Sequence, residues 1–325
     1  MTMPNASIAL VLLLGGAAIG LWDISRSESQ TVVVYTTSAL RDALEKYLLP
    51  AFTARSGYHV SPVYVAAGQQ YNRLRMSGDG PEADLFLHAS PLFLEKGYAE
   101  GRVDATLLPN DDKIAGRFKS GNVSGGHAWY AFAWSPLVEV YPRDSNGTPD
   151  LAETELRFGF PHPLLSNNGI WSVLFLEHVD PAVGEHLLAR TRVQPTNARA
   201  NIGGVADGSF DLTLGYEAVA QFYQEQGARI AYDVPLVHGQ HITTPVTFTA
   251  ALIHGQRNPG ADELMGFLFS DEGQAQLAAG HLRPVIDGAP QPKDALRLDE
   301  PHTFTYDWSH WKDLEATLPR YQVGS

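Results

Sequence analysis

Short β-branched runs alternate with helical patterns along this chain, and that alternation constrains the fold more than any other feature. Residues 31–35 read TVVVY, the uninterrupted apolar run of a strand buried on both faces. Three hydroxyls, Thr36, Thr37 and Ser38, interrupt it. A helical pattern follows, with Leu40, Ala43, Leu44, Tyr47 and Leu48 on one face. Residues 58–65 then read as a second strand, 69–76 as a helix, and 83–87 (ADLFL) as a third strand before His88, Ala89, Ser90 and a helix from Pro91. Strands separated by helices predict an α/β fold with mainly parallel sheets flanked by helices, because returning to a parallel strand needs a crossover of helical length.

The middle of the chain changes character. Residues 129–141 (WYAFAWSPLVEVY) form one long extended run broken at Ser135-Pro136, and 143–150 are rich in turn formers. A second series then begins: a strand at 157–160, the loop Ser166, Asn167, Asn168, Gly169, and a helix from Ile170. Strands ending at 213–217 (TLGYE), at 228–234 and at 244–253 follow, then helices at 262–269 and 272–279. The last segment, 306–321 (YDWSHWKDLEATLPRY), predicts a helical tail that packs its aromatics back on the body. Two such series suit 325 residues, since a domain takes about 100–200.

Composition narrows the function classes. The chain is 44% hydrophobic and 18% charged, with a net charge of -13 spread along its length. A surface of that sign repels nucleic-acid phosphates and anionic lipid, so neither is an expected partner. A small anion remains possible, because a buried site uses local donors and helix termini rather than net charge. The absence of cysteine excludes disulfides, thiolate metal sites, cysteine nucleophiles and a lipobox. Residues 8–21 (IALVLLLGGAAIGL) are apolar but shorter than the ~20 residues of a comfortable span, and Ala18, Ile19 and Gly20 supply a small-x-small cleavage pattern. Residues 1–30 therefore read as a signal peptide plus polar spacer, or as an uncleaved N-terminal anchor, since no Lys or Arg precedes the apolar run. Either way the folded part is expected to be periplasmic or otherwise extracytoplasmic.

No G-x-S-x-G elbow, H-E-x-x-H helix or P-loop lysine occurs. His238 and His241 are three apart, but Gly239 and the strand context expected there spoil metal geometry. No catalytic residue, metal or cofactor is expected.

Several motifs carry a family resemblance. Asn258, Pro259, Gly260 and Ala261, followed by 267–274 (FLFSDEGQ) and by Leu282, Arg283, Pro284 and Val285, resemble the late "NPxA…FLxFLxSxEGQ…PV" stretch of the type 2 periplasmic solute-binding proteins of ABC importers. Ala83 to Phe86 after Pro81 and Glu82, and Asp150 to Ala152 with 158–163, resemble two further segments of that family. The similarity covers nearly the whole chain after Gln30 and points to the branch that includes ferric iron, molybdate and phosphonate binders. It implies two lobes joined by two crossover strands that close on ligand by hinge bending. Lobe one is expected at 31–130 and 240–300, lobe two at 131–239, and the helical tail at 301–325, with 129–141 and 234–247 as crossovers. It also implies a monomeric receptor that hands its ligand to an ABC permease in the cytoplasmic membrane.

In an open α/β sheet, ligands sit beyond the carboxyl ends of the strands. Thr36, Thr37 and Ser38 hold that position and exceed what a helix cap requires, so they read as an oxyanion loop that includes its cap. His88 reads either as an imidazolium facing an anion or as a structural histidine, and Ser90 as a contact or a cap. Ser166, Asn167 and Asn168 precede a helix and resemble the family's second-lobe loop. Asn197 and Arg199 lie near a further helix start, where Arg199 could clamp a phosphonate or carboxylate bidentately or be a surface charge. Tyr216 ends a strand where family members often place a ligand-contacting tyrosine. In the ferric relatives that position is followed by another tyrosine, whereas Glu217 follows here, which favours an oxyanion or phosphonate-type ligand over ferric iron. Two rivals stay open: an extracytoplasmic enzyme with His88 or Glu217 as acid or base, and a membrane-tethered sensor.

Overall fold

The computed structural model describes residues 30–323 except 78, 79, 81, 256 and 299–302; the signal or anchor segment expected before residue 30 lies outside them. Strands β1 (Thr31–Thr36), β2 (His59–Tyr64) and β3 (Leu85–His88) pair in parallel with β1 in the centre. Helix α1 (residues 41–56) joins β1 to β2; it carries a π turn at Leu44–Leu48 and ends on Gly57, whose φ of 78° supplies the left-handed cap. Helix α2 (Ala67–Met76) joins β2 to β3, and α3 (Leu92–Ala99) follows β3.

The chain then enters β4 (Tyr130–Pro142), a 13-residue strand buried along almost all of its length. After it come β5 (Phe158–Gly159), α4 (Asn167–Val179), α5 (Pro181–Ala189), α6 (Ala198–Ala206), β6 (Leu212–Tyr216), α7 (Glu217–Glu225) and β7 (Ile230–Asp233). The last elements are β8 (Pro245–Leu252), α8 (Gly260–Leu268), α9 (Asp271–Ala279), β9 (Arg283–Pro284) and α10 (Trp311–Thr317). The main strand order is β2-β1-β3-β8-β4-β6-β5, with β7 and β9 also paired to β4. Pairing is parallel in β1–β3 and between β5 and β6, and antiparallel along β4, so the sheet is mixed.

β4 changes partners along its length. Residues 130–136 pair with β8, and Trp134 and Ala133 with β9; residues 137–142 pair with β6 and β7. The change falls at Pro136, which stands opposite Pro245. Neither proline has an N–H, so the ladder is thinnest where the sheet passes from one half to the other. Leu137 holds the join instead: its N–H donates to the Thr244 carbonyl at 3.0 Å, and its own carbonyl accepts from Thr243 Oγ1 at 2.6 Å. The return path is less simple than a continuous extended run over 234–247. Leu236–Val237 and Gln240–His241 form a tight hairpin first, turning through His238 (φ 50°) and Gly239 (φ 74°). The Asp150 carboxylate fixes that turn by accepting both backbone N–H groups, at 3.1 and 2.7 Å. His238 pairs with Asp180 and His241 with the Val234 carbonyl, so the two rings engage separate partners.

The late motif has a packing explanation. Ser270 caps α9 by accepting from the Gly273 N–H at 3.0 Å. A Cβ at Gly273 would lie 1.9 Å from the Phe267 carbonyl oxygen, which only glycine tolerates. Buried Gln274 donates to the carbonyls of Phe132 and Leu268 and accepts from the Val285 N–H, tying α9 to β4 and to the segment after β9. The tail packs back as its pattern predicts: Tyr321 stacks on Phe160, Phe304 on Phe175, and Trp308 meets Trp171 edge-on.

Candidate ligand-binding cleft

Two groups of elements face one another, joined through the long strand β4. On the first, β1 ends in buried Thr36, whose carbonyl accepts from Gln70 Nε2 at 2.6 Å while its hydroxyl has no partner. Thr37 caps the following turn, Ser38–Leu40, by accepting from the Ala39 N–H at 3.5 Å, so the expected cap is present. The Ser38 hydroxyl is buried and unpartnered.

On the facing group, Ser166 caps α4 through the Asn168 N–H at 3.2 Å. Asn168 Nδ2 donates to the Leu214 carbonyl at 2.8 Å, and Asn201 Nδ2, from α6, donates to the same carbonyl at 2.7 Å. Both Oδ1 atoms are buried without a partner. Asn167 Nδ2 reaches His88 Nδ1 at 3.4 Å, and its Oδ1 is likewise unpartnered. Tyr216 closes β6 with its ring edge-on to Phe248 at 5.8 Å and its hydroxyl buried and unpaired; burial alone pushes that phenol well above its ordinary value. The Thr247 hydroxyl on β8 is also unpartnered, but it stands opposite Trp134 on the strand face away from Phe248 and Tyr216.

Leaving a buried polar atom unpaired costs about 1–3 kcal/mol, so such atoms are rare and scattered unless something else pairs with them. Among the described residues fourteen buried side-chain atoms lack a partner; six of them, on Thr36, Ser38, Asn167, Asn168, Asn201 and Tyr216, come from β1, the turn after it, α4, α6 and β6, which meet: α6 packs on the Ser38–Leu40 turn, and Asn168 and Asn201 share one carbonyl. Sequence reasoning does not single out Asn201, Thr247 or Gln70. An asparagine inside a helix, where its side chain competes with the backbone, is a usable signal for Asn201. An open cavity of about 490 Å³, lined in part by Lys119, Trp129 and Trp308, lies by the tail and includes none of these atoms.

Four expected contacts have other roles. His88 is fully buried and desolvation lowers it to about 3, so it is a neutral imidazole and not the imidazolium that an anion contact would use. It bridges Gln70 and Asn167 instead. The Arg199 guanidinium binds the Asp42 carboxylate and lies 5.7 Å over the Tyr223 ring, so it is engaged in an ion pair rather than open as a clamp. Ser90 caps the α3 end through the Leu92 N–H at 3.2 Å. Asn197 caps α6 by accepting from the Ala200 N–H at 2.9 Å, with its oxygen used there. Glu217 receives Arg283 Nε and Nη2 at 3.0 and 2.9 Å and the Leu296 N–H, so the carboxylate of the enzyme reading is already paired.

The two groups of elements touch. Besides Arg199–Asp42 and His88–Asn167, His281 Nε2 meets Glu225 at 2.9 Å, and Gly68 of α2 approaches the loop before α4 so closely that a Cβ would lie 2.8 Å from the Leu164 carbonyl oxygen. The two groups are thus in direct contact at several points.

Comparison with known proteins agrees with that geometry. The family described as "Bacterial extracellular solute-binding protein" matches residues 32–283. The thiamine-binding periplasmic protein of Haemophilus influenzae is 26% identical over 254 residues, 73% of either chain. Among solved structures, the periplasmic binding protein AfuA from Actinobacillus pleuropneumoniae, with fructose-6-phosphate bound, superposes with a TM-score of 0.76 at 18% identity, covering 89% of this chain and 96% of its own. Apo ferric ion-binding protein A of Pasteurella haemolytica does so with a TM-score of 0.71 at 17% identity, covering 91% and 99%. A periplasmic thiamin-binding protein reaches 0.71 at 18%, covering 90% and 95%. With two groups of elements joined through a shared strand and a family match over most of its length, the chain belongs to the bacterial extracellular solute-binding proteins, as a type 2, substrate-binding component of an ABC importer.

Proposed function

We propose that this receptor captures a small oxyanion-bearing ligand between residues 31–130 with 240–300, as lobe one, and residues 131–239, as lobe two. The observation that carries the reading is the set of buried, unpartnered hydroxyls: Thr36 at the end of β1, Ser38 in the turn before α1, and Tyr216 on the facing group of elements. Neutral O–H and N–H dipoles at a helix start suit an oxyanion, because they stabilise charge without a counter-ion that must itself be desolvated. The receptor acts without catalysis: His88 and Glu217 are both engaged, and no pair of open titratable groups among the described residues faces the hydroxyls. It works in the periplasm as a monomer and delivers ligand to a permease in the cytoplasmic membrane.

Ferric iron, the ion for which the Pasteurella haemolytica neighbour is named, is the second reading, favoured by the buried phenol of Tyr216. A phenolate there would have to form against burial, and the next residue is Glu217 in its pair with Arg283. Calorimetric titration of the full-length chain, refolded free of ligand, tests these readings against inorganic phosphate, sulfate, fructose 6-phosphate, thiamine, thiamine phosphate and ferric citrate. Binding of a phosphate-bearing compound supports the proposal. Tight binding of ferric citrate alone, or of unphosphorylated thiamine as well as its phosphate, overturns the oxyanion class.

A further inference from the structure

The orientation of three side-chain amides in the cleft can be deduced, although amide oxygen and nitrogen are ordinarily interchangeable. Asn168 and Asn201 each direct one amide end at the Leu214 carbonyl oxygen, at 2.8 and 2.7 Å. A carbonyl only accepts, so both ends there are Nδ2, and reversing either amide would set oxygen against oxygen. Asn167 is fixed by a longer chain. Gln70 faces the Thr36 and Val63 carbonyls at 2.6 and 2.7 Å, so that end is Nε2 and its Oε1 faces His88. That oxygen requires a proton on His88 Nε2, which leaves Nδ1 of the neutral ring as an acceptor. Asn167 therefore turns Nδ2 to His88, across 3.4 Å. The consequence is the same three times: Oδ1 of Asn167, Asn168 and Asn201 is the end left buried without a partner.

These oxygens accept and cannot donate, so an unprotonated oxyanion group cannot satisfy them. We propose that the cleft is bipolar: the Thr36 and Ser38 hydroxyls take the oxyanion of an organic ligand, and the Asn167, Asn168 and Asn201 carbonyl oxygens select hydroxyl or amino donors on its other end. The inference rests on the cleft being the ligand site. It excludes sulfate, which carries no proton at neutral pH, leaves part of the acceptor set unmatched by inorganic phosphate with its one or two P–OH groups, and assigns the selectivity of this receptor to amide oxygens held by backbone and His88. The substrate class is a small phosphate ester or carboxylate rich in O–H or N–H groups.

Matched ligand pairs on the full-length, ligand-free chain test it by calorimetry. Ethanolamine phosphate and glycerol 3-phosphate each carry donors; ethyl and propyl phosphate keep the ester and lack them. Donor-bearing members should bind about ten-fold or more tightly than their partners, since each acceptor left unpaired costs about 1–3 kcal/mol. Asn201→Leu, close to isosteric, should erase most of that preference, bringing donor-bearing members to within about three-fold of their partners. Should that variant fail to fold, Asn167→Leu serves the same end, and the wild-type pairs stand without either. Equal affinity within each pair overturns the inference while leaving the oxyanion reading intact. Binding of unphosphorylated glycerol or ethanolamine, weakened by Asn201→Leu, with no response to any phosphate, would sink the oxyanion reading and leave the donor pole standing. Binding that requires added Ca²⁺ or Mg²⁺ would overturn the donor pole, because a hard cation would then be the partner of these oxygens.

Discussion

Arg199 on α6 and Asp42 on α1 form an ion pair that joins the two sides of the cleft, and Lys46 joins it from the next turn of α1 at 3.1 Å. Both partners are mostly buried, with side-chain exposures of 23% and 10%. In this arrangement the guanidinium is engaged across the two sides, which is the placement of a latch between them. Arg199→Ala and Asp42→Asn should weaken ligand binding by a similar factor, about three- to ten-fold, mainly through faster release. Stopped-flow dissociation of a bound ligand checks this. If Arg199→Ala alone were severe while Asp42→Asn was silent, the guanidinium would be contacting ligand directly.

Gly68 sets how closely the two sides approach. A Cβ there would meet the Leu164 carbonyl oxygen at 2.8 Å, and α2 and the loop before α4 are both well-packed backbone. Gly68→Ala should prop the cleft open and reduce affinity about ten-fold or more, yet leave the melting temperature of the empty protein unchanged or slightly raised, because alanine favours the helix by about 1 kcal/mol. Small-angle scattering should show the variant more extended in saturating ligand than the wild type. Loss of stability with affinity unchanged would mean that the contact is ordinary packing.

Two buried groups give stability opposite pH dependences. Desolvation lowers His88 to about 3 from 6.5, so between those values the unfolded chain holds a proton the folded chain does not. Stability should be full above pH 6.5 on this account and fall as pH drops toward 3, by up to about 1.4 kcal/mol per unit. Glu139, buried beside β7, is raised to about 9 from 4.5 chiefly by desolvation, so the folded chain keeps a proton the unfolded one releases. That contribution is full below pH 4.5 and is lost as pH rises through 9. Glu139→Gln should flatten the alkaline side of a urea-midpoint profile and leave the acid side alone. An unchanged alkaline limb would show that Glu139 ionises in the folded state without cost.

Tyr321 anchors the tail. Its ring stacks on Phe160 at 5.5 Å, lies against Gly184, and donates its hydroxyl to Glu177 at 2.5 Å. Tyr321→Ala should cost about 3–5 kcal/mol in denaturant unfolding, and Tyr321→Phe only about 1–2 kcal/mol, since the ring carries most of the contact. Neither should change ligand affinity, because no atom of the tail is among the unpaired cleft groups.

The sequence by itself determined most strands, the helices after β1, β2 and β3 and those at 260–279, the long run at 130–142, the hydroxyl and asparagine loops, and the family, because periodicity, caps and turn chemistry act between residues close in the chain; α5, α7 and the 236–241 hairpin are not among the elements its pattern predicts. Thr37, Ser166 and Asn197 cap their elements as their residue types predict. Tertiary structure alone decided which of those polar groups remain available. Arg199 is taken by Asp42, 157 residues away, and His88 by Gln70 and Asn167, 18 and 79 residues away. Asn201 enters the cleft through a carbonyl it shares with Asn168. Hydrogen bonds and burial between distant segments set a side chain's charge state and its remaining valence, and neither quantity has any local period to read.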